Sequence, residues 1–401
     1  MVCSQCGRTV HDHDRFCMYC GHALTNNKTS VESRMKEDSH IEEIRDEKRS
    51  KRSAVNHVNL KHEAKILFDH TTKSIGKFAG SEEVLNLNLK DMFSEVFKFH
   101  SRDESEEIFI AGTKKTTPLL EEVSEEWGKP WLFSRVFVAF AITFLALWIL
   151  SSTFENELAI PGLIFIGALT VPLTGLIFFF ESNAFKNMSL FEVLKMFFVG
   201  GVISLISTMI LYHFVTFSKD YYDYGAMTVF DALMVGLVEE MGKALIIIYF
   251  VNKNKTYKIL NGLLIGGAIG AGFAMFESAG YILTFSLNYD ESIINLVFLR
   301  AWTAIGTHLV WSAIIGAAIV IAKEHNNFGF RNAVDKRFLF FFLSSVILHS
   351  FWDTSITFFG SDNAKFILLS VTAWLLIFIL MKAGLKQVNI LQEEARQMKE
   401  I

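Results

Sequence analysis

Seven ionisable residues stand inside apolar stretches of the chain, where a charged side chain is costly. They are Glu239, Glu240, Lys243, Glu277, His308, His349 and Asp353. Ionisable groups within a membrane are rare, and by default they mark a functional site with a partner or a purpose. Carboxylates and imidazoles are also the groups that activate water, transfer protons and bind metal ions. The set therefore indicates a chemical centre within the membrane.

The local spacing of these residues places several of them on common helix faces. Glu239 and Lys243 are an i,i+4 pair, and Glu240 and Lys243 are an i,i+3 pair, so the lysine can neutralise at least one carboxylate. His349 and Asp353 are one turn apart, where the carboxylate can orient the imidazole or stand beside it facing the same site. One carboxylate of the first motif is left free to act elsewhere.

The elements that must position these residues are long apolar segments. Eight reach the length of a transmembrane helix: residues 131–152, 158–180, 191–215, 226–251, 260–286, 296–322, 338–358 and 364–383. The ionisable residues occupy the fourth to seventh, at depths of roughly 7–20 Å from the same membrane face, given a rise of about 1.5 Å per residue. Small-xxx-small steps in the fifth segment (Gly262, Gly266, Gly270) permit close helix approach. We expect a polar chamber between these four helices.

The composition excludes a single soluble domain. The 401 residues are 51% hydrophobic, yet positions 1–130 hold 43 of the 80 charged residues. A polar N-terminal part is therefore joined to a membrane-embedded C-terminal part. The net charge of −4, with no unopposed Lys/Arg face, argues against nucleic-acid binding.

All four cysteines lie within the first 20 residues, as two Cys-x2-Cys pairs, each followed by glycine: Cys3, Cys6, Cys17 and Cys20. Two such knuckles can close a tetrahedron of thiolates around Zn²⁺. The segment is too short to bury a core, so the metal would supply the folding free energy. We predict a structural zinc ribbon, favoured over disulfides or a redox pair, and thiolates available to zinc indicate a reducing, cytosolic environment. His11 and His13 are expected to be solvent-facing rather than ligands.

The fold class predicted is an all-α polytopic membrane protein of about eight transmembrane helices, with a small N-terminal cytosolic zinc ribbon and a helical cytosolic linker region. Five domains are predicted: a zinc ribbon, a charged linker, a small helical cytosolic region, an eight-helix transmembrane domain and a cytosolic tail. They cover residues 1–24, 25–53, 54–130, 131–383 and 384–401, and the helices that carry the ionisable residues span about 226–358. Lys and Arg are concentrated in loops 252–259 and 323–337, whereas loops 153–157 and 287–295 contain acidic residues and no Lys or Arg. Because positively charged loops stay on the cytosolic side, this alternation predicts that both termini are in the cytosol.

In this order on successive spans, the motifs resemble those of the PrsW family of bacterial intramembrane proteases. They are Glu-Glu-x-x-Lys (Glu239, Glu240, Lys243), Phe-x-x-x-Glu (Phe273, Glu277), a separate His308, and His-x-x-x-Asp (His349, Asp353). The family is related more distantly to CAAX-prenyl proteases and bacteriocin-processing membrane proteins. The resemblance implies a multi-pass enzyme of the bacterial cytoplasmic membrane. It would cleave single-pass membrane proteins, such as an anti-sigma factor, near the extracytoplasmic side.

For this activity we expect a glutamic-type mechanism. Glu240, with Glu277, would hold and deprotonate water while Lys243 fixes Glu239. His349 with Asp353 would polarise the carbonyl or protonate the leaving amine, and His308 would join either task. In the related prenyl proteases a histidine stands where this chain has Glu277. The alternative is a catalytic Zn²⁺ bound by the histidines and carboxylates, although no His-Glu-x-x-His motif is present.

Two other function classes compete with a protease. A proton- or cation-coupled transporter or channel would use the same buried groups, but it predicts inverted repeats or interrupted helices, and no convincing internal repeat is found. A non-catalytic scaffold would need only simple apolar spans and would not explain the cluster of ionisable residues within them. The partners expected are the lipid bilayer, a single-pass membrane protein substrate and a cytosolic protein at the zinc ribbon.

Overall fold

A computed structural model describes residues 1–24, 61–224, 227–288 and 292–400. The predicted charged linker, residues 25–53, lies outside the described residues. The chain divides into two compact units, Met1–Phe68 and Asp69–Ile401. Apart from isolated β-bridges, the regular structure of the described residues is helical, which confirms the predicted fold class.

The N-terminal ribbon consists of two similar knuckles. In each, a glycine amide donates to the carbonyl of the first cysteine, at 2.9 Å for Gly7 to Cys3 and 2.7 Å for Gly21 to Cys17. Both glycines have positive φ angles, of 67° and 73°, which L-residues adopt only with strain. The glycine after each cysteine pair is thus required by the turn that brings the two thiols of a knuckle together.

Short helices precede the membrane segments. Residues 61–78 are helical, and the later turns are Leu89–Met92 and Arg102–Phe109. The last of these begins with a capping box, in which the Ser101 hydroxyl accepts from the Glu104 amide and the Glu104 carboxylate accepts from the Ser101 amide. The chain then enters the first long apolar helix at Leu132, directly after Trp131.

Nine longer helices form most of the rest of the described chain, and the short helices Lys219–Tyr224 and Phe330–Ala333 lie between them. The longer helices are α1 (Leu132–Ser152), α2 (Ile160–Ser182), α3 (Leu190–Tyr212, with a π-helical turn at Met196–Gly200), α4 (Val229–Lys253), α5 (Ile259–Asn288), α6 (Ile293–Ala304), α7 (His308–Lys323), α8 (Lys336–Asp353) and α9 (Asp362–Glu400). Helix α9 continues from the predicted eighth span through the predicted tail without interruption.

Among the described residues, six helical segments are long and apolar enough to cross a membrane, with α6 and α7 forming one of them. Helices α4 and α8 are not in this group. Helix α4 carries five charged residues: Asp231, Glu239, Glu240, Lys243 and Lys253. The protein is a multi-pass membrane protein, and the count of eight spans remains a prediction.

Helices α5 and α7 form the centre of the bundle. The apolar window of α5 and that of the α6–α7 segment are each 94% buried, whereas the window of α1 is 6% buried and lies at the periphery. A Cβ atom built on Gly266 of α5 would lie 2.0 Å from the backbone oxygen of Ser312 on α7. The predicted close approach of the fifth span therefore occurs, and its partner is α7.

The sixth predicted span is broken. Helix α6 ends at Ala304, α7 begins at His308, and Gly306 lies between them. The carbonyl of Ile305, at the break, accepts a hydrogen bond of 2.9 Å from the indole Nε1 of Trp374 on α9. The break makes His308 the first residue of a new helix rather than a mid-helix residue.

Replacing Gly266 by valine should destabilise the bundle, because the added side chain meets the backbone of α7. We expect a loss of about 3 kcal/mol in the free energy of unfolding, measured by detergent titration. Gly280→Val on the same helix is the matched control, since a Cβ there meets nothing within 4 Å. Equal losses in the two variants would contradict the close α5–α7 packing.

Candidate active site

Helix α4 supplies two adjacent carboxylates that have different surroundings. Consecutive residues of a helix point about 100° apart, so the two carboxylates have largely different neighbours. Glu240 is fully buried, whereas Glu239 is 8% exposed and lines an internal cavity. Glu239 is therefore the member of the pair that faces the cavity.

Lys243 lies at the centre of the network. Its Nζ donates to Oε1 of Glu240 at 2.6 Å and to Nδ1 of His308 at 2.8 Å, and it sits 4.5 Å from the ring centre of Phe273. The expectation that Lys243 fixes Glu239 is wrong, because the i,i+3 neighbour is the one that shares its buried side of the helix. Helices α4 and α7 are joined through this one ammonium group.

The orientation of His308 follows from Lys243. An ammonium group only donates, so Nδ1 of His308 is the acceptor and the ring proton is on Nε2. Nε2 then donates to Oε2 of Glu277 on α5 at 2.9 Å. The same oxygen accepts from Nη2 of Arg300 on α6 at 2.7 Å. Glu277 is thus engaged with two donors and is not paired with Glu240 as the sequence had suggested.

His349 of α8 contacts carboxylates on both sides. Its Nδ1 lies 2.7 Å from Oε1 of Glu240, and its Nε2 lies 3.6 Å from Oε2 of Glu239 and 3.4 Å from Oδ2 of Asp353. A protonated ring donates from both nitrogens in this setting. The ring centres of His308 and His349 are 5.0 Å apart. The structure therefore brings all seven predicted residues into one continuous cluster.

These groups surround an internal cavity of about 120 Å³, enough for several water molecules. Its polar walls include Glu239, Glu277, Arg300, His308, His349 and Asp353. Oε1 of Glu239 accepts from the Tyr212 hydroxyl at 2.9 Å, and Oε2 has no hydrogen-bond partner among the described residues. A buried carboxylate oxygen of this kind is an available proton acceptor.

Three cavity residues were missed by the sequence reasoning. Tyr212 comes from the end of α3, Arg300 from the short helix α6, and Trp311 from the first turn of α7. Arg300 is a cation within the sixth predicted span, and its charge is the signal that could have identified it. Tyr212 and Trp311 carry no charge and gave no signal in the sequence.

Asp231 has a structural role. Its carboxylate accepts from the hydroxyls of Ser218 and Thr228, at 2.6 Å each, and from the backbone amides of the same two residues. Together with Thr228 it forms the capping box that begins α4. Asp231 therefore stabilises the start of the helix and does not line the cavity.

The N-terminal cysteines form a second candidate metal centre. The Sγ atoms of Cys3 and Cys20 are 3.6 Å apart, and those of Cys6 and Cys17 are 3.7 Å apart. Tetrahedral zinc with Zn–S bonds of about 2.3 Å requires S···S distances of about 3.8 Å. The four thiols therefore fit a structural metal ion, and His11 and His13 are exposed.

Comparison with known proteins identifies both parts of the chain. Residues 2–24 match the zinc-ribbon domain, and residues 190–381 match the family described as PrsW family intramembrane metalloprotease. Over residues 190–381 the membrane domain is therefore similar to the PrsW family. All seven predicted site residues lie within the matched segment, and the match supports a membrane protease.

Two curated PrsW relatives cover about half of the chain. Protease PrsW of Oceanobacillus iheyensis is 23% identical over 198 residues, covering 49% of this chain and 83% of the relative. Protease PrsW of Clostridioides difficile is 26% identical over 193 residues, covering 47% of this chain and 77% of the relative. No solved structure matches the chain significantly.

Loss of the buried cation should weaken the PrsW-family domain strongly. Lys243→Met leaves the carboxylate of Glu240 buried without its ammonium partner, so we expect a loss of about 3–5 kcal/mol in the free energy of unfolding. Lys253→Met, an exposed position on the same helix, is the control and should cost less than about 0.5 kcal/mol.

The double variant Glu240→Gln/Lys243→Met tests the cause, because it removes both charges. It should be more stable than Lys243→Met alone. A double variant that is less stable than the single one would show that the Lys243–Glu240 pair does not hold the site together.

Proposed function

We propose that the chain is an intramembrane endopeptidase in which Glu239 activates the attacking water. The observation that carries this proposal is the unpartnered Oε2 of Glu239, buried at the wall of a polar cavity and 3.6 Å from Nε2 of His349. Peptide hydrolysis needs a proton acceptor for water, a donor for the leaving amine and a group that polarises the carbonyl. In the cavity the proton acceptor, Glu239, and the proton donor, His349, lie next to each other.

In this mechanism Glu239 takes a proton from water as the water oxygen bonds to the scissile carbonyl carbon. When the C–N bond breaks, Nε2–H of His349 gives its proton to the leaving nitrogen, with Asp353 holding the ring from one side and Glu240 from the other. Glu240 and Lys243 are positioning residues, because both are fully buried and their contacts are with other side chains of the network. Glu277, Arg300 and His308 form the opposite wall.

The proposed substrates are single-pass membrane proteins of the anti-sigma-factor type, cut near the extracytoplasmic side. The proposal places the enzyme in the bacterial cytoplasmic membrane with both termini in the cytosol, since Lys and Arg mark alternate loops. The zinc ribbon would then face the cytosol, where a docking role for a cytosolic protein partner remains our prediction.

Glu239→Gln should abolish cleavage, because an amide cannot accept the proton of water. We expect at least a roughly 10²-fold fall in rate, measured by quantitative N-terminal profiling of membranes that contain the wild-type or variant chain. Glu192→Gln on α3, outside the cavity, is the matched control and should retain full activity. New extracytoplasmic N-termini in single-pass proteins should appear with the wild type and the control only. Identical profiles combined with altered ion flux in Glu239→Gln would replace the protease proposal by the transporter.

The same cluster also fits a divalent cation in ligand type and spacing. Single ligand atoms of Glu239, His308 and His349 lie within 4.8 Å of one another. The four carboxylates of the cluster outnumber its two fixed cations, Lys243 and Arg300. A bound Zn²⁺ would supply acidification of a bound water and polarisation of the carbonyl. Such binding requires His308 to give up a ring nitrogen now bonded to Lys243 or Glu277, so we favour the glutamate mechanism.

Metal content separates the two mechanisms. Under the glutamate mechanism, the purified full-length chain should contain one zinc ion per molecule, and Cys17→Ser/Cys20→Ser should contain almost none, because the ribbon holds the only ion. Elemental analysis of both proteins makes the measurement. A second equivalent that survives in the cysteine variant and disappears in His349→Ala would establish the metal-dependent mechanism instead.

A further inference from the structure

The indole N–H of Trp311 takes no part in the hydrogen-bond network described above. The side chain is 1% exposed and lines the cavity, yet its indole N–H has no hydrogen-bond partner among the described residues. A buried donor without a partner is destabilising and rare in native proteins, where it calls for a specific explanation. Because indole N–H only donates, the missing partner must be an acceptor.

The position of the ring is fixed by both site histidines. Its face stacks on His349 with ring centres 4.5 Å apart and an interplanar angle of 26°. The ring of His308 meets it at 5.2 Å and 85°. Trp311 follows His308 by three residues, so both project from the first turn of α7. The start of this helix also brings the positive end of its dipole to the cavity, where Thr307 and His308 line the wall.

Three charged or phenolic donors at or beside the cavity are already engaged. Arg300 donates to Glu277, Tyr212 donates to Glu239, and Lys243 donates to Glu240 and His308. Of the fully buried side-chain atoms on the described residues that line the cavity, two have no hydrogen-bond partner: the acceptor Oε2 of Glu239 and the donor Nε1–H of Trp311. A water and a peptide carbonyl would satisfy this pair: the water gives its proton to the acceptor, and the carbonyl oxygen accepts from the donor.

We propose that Trp311 is a catalytic residue whose Nε1–H receives the scissile carbonyl oxygen. This inference rests on the proposed function and supplies the polarising group that it leaves open. As the water oxygen bonds to the carbonyl carbon, the C=O π electrons move onto the oxygen, and the indole N–H stabilises that charge without giving up its proton. A preorganised donor acts mainly on the transition state, because the negative charge is fully developed only there.

Trp311→Phe tests the proposal, because phenylalanine keeps an aromatic ring beside His349 and removes the N–H. We expect kcat to fall roughly 10²–10³-fold with KM nearly unchanged, measured in proteoliposomes on a transmembrane peptide that carries the bond identified by N-terminal profiling. Trp302→Phe is the matched control: it lies on α6, half-exposed and outside the cavity, and it should retain wild-type kcat.

A second variant guards against a folding defect. Replacement of Trp311 by its benzothiophene isostere, through an expanded genetic code, preserves the shape of the ring and deletes only the donor. It should show the same loss of kcat with an unchanged unfolding transition. Wild-type kcat in this isostere, or a raised KM with unchanged kcat, would overturn the role of Trp311 and leave Glu239 as the base. A wild-type chain that cuts no membrane protein, or a Glu239→Gln variant that still cuts, would overturn the proposed function itself.

Discussion

The ammonium group of Lys243 joins the parts of the site that come from different helices. It donates at once to Glu240 of its own helix and to His308 of α7, inside a protein interior where it has no contact with solvent. Through Glu240 it also reaches His349 of α8, and through His308 it reaches Glu277 of α5. A cation buried in this way is stable only if its partners stay in place, so the site has a strong energetic reason to keep one geometry.

The central helix pair makes this geometry possible. Gly266 lets α5 lie against the backbone of α7, which brings Glu277 within 2.9 Å of His308. The break at Gly306 lets the chain restart as α7 at the level of the cavity, so His308 and Trp311 both project from a first helical turn. The close packing of α5 against α7 thereby fixes the distance between Glu277 and His308.

The break in the sixth span is also the feature that a transporter would predict, since discontinuous helices place binding groups at mid-membrane. Here the freed carbonyl of Ile305 is satisfied by Trp374, and the new helix start presents an imidazole rather than bare backbone to the cavity. Together with the PrsW-family match over residues 190–381, this arrangement favours hydrolysis. The helix interruption serves to position a side chain.

The sequence by itself determined the helical membrane fold, the zinc ribbon and the seven residues of the cluster. Each rests on local signals: apolar length, cysteine spacing, and charges where lipid or protein makes them costly. Only the tertiary structure decided which carboxylate Lys243 binds, because i,i+3 and i,i+4 neighbours are equally available until packing fixes which of them the ammonium group faces. It also added Tyr212, Arg300 and Trp311, whose partners lie 27, 23 and 38 residues away for the contacts with Glu239, Glu277 and His349. Helical periodicity extends over a few residues only, so contacts at such separations depend on how whole helices pack.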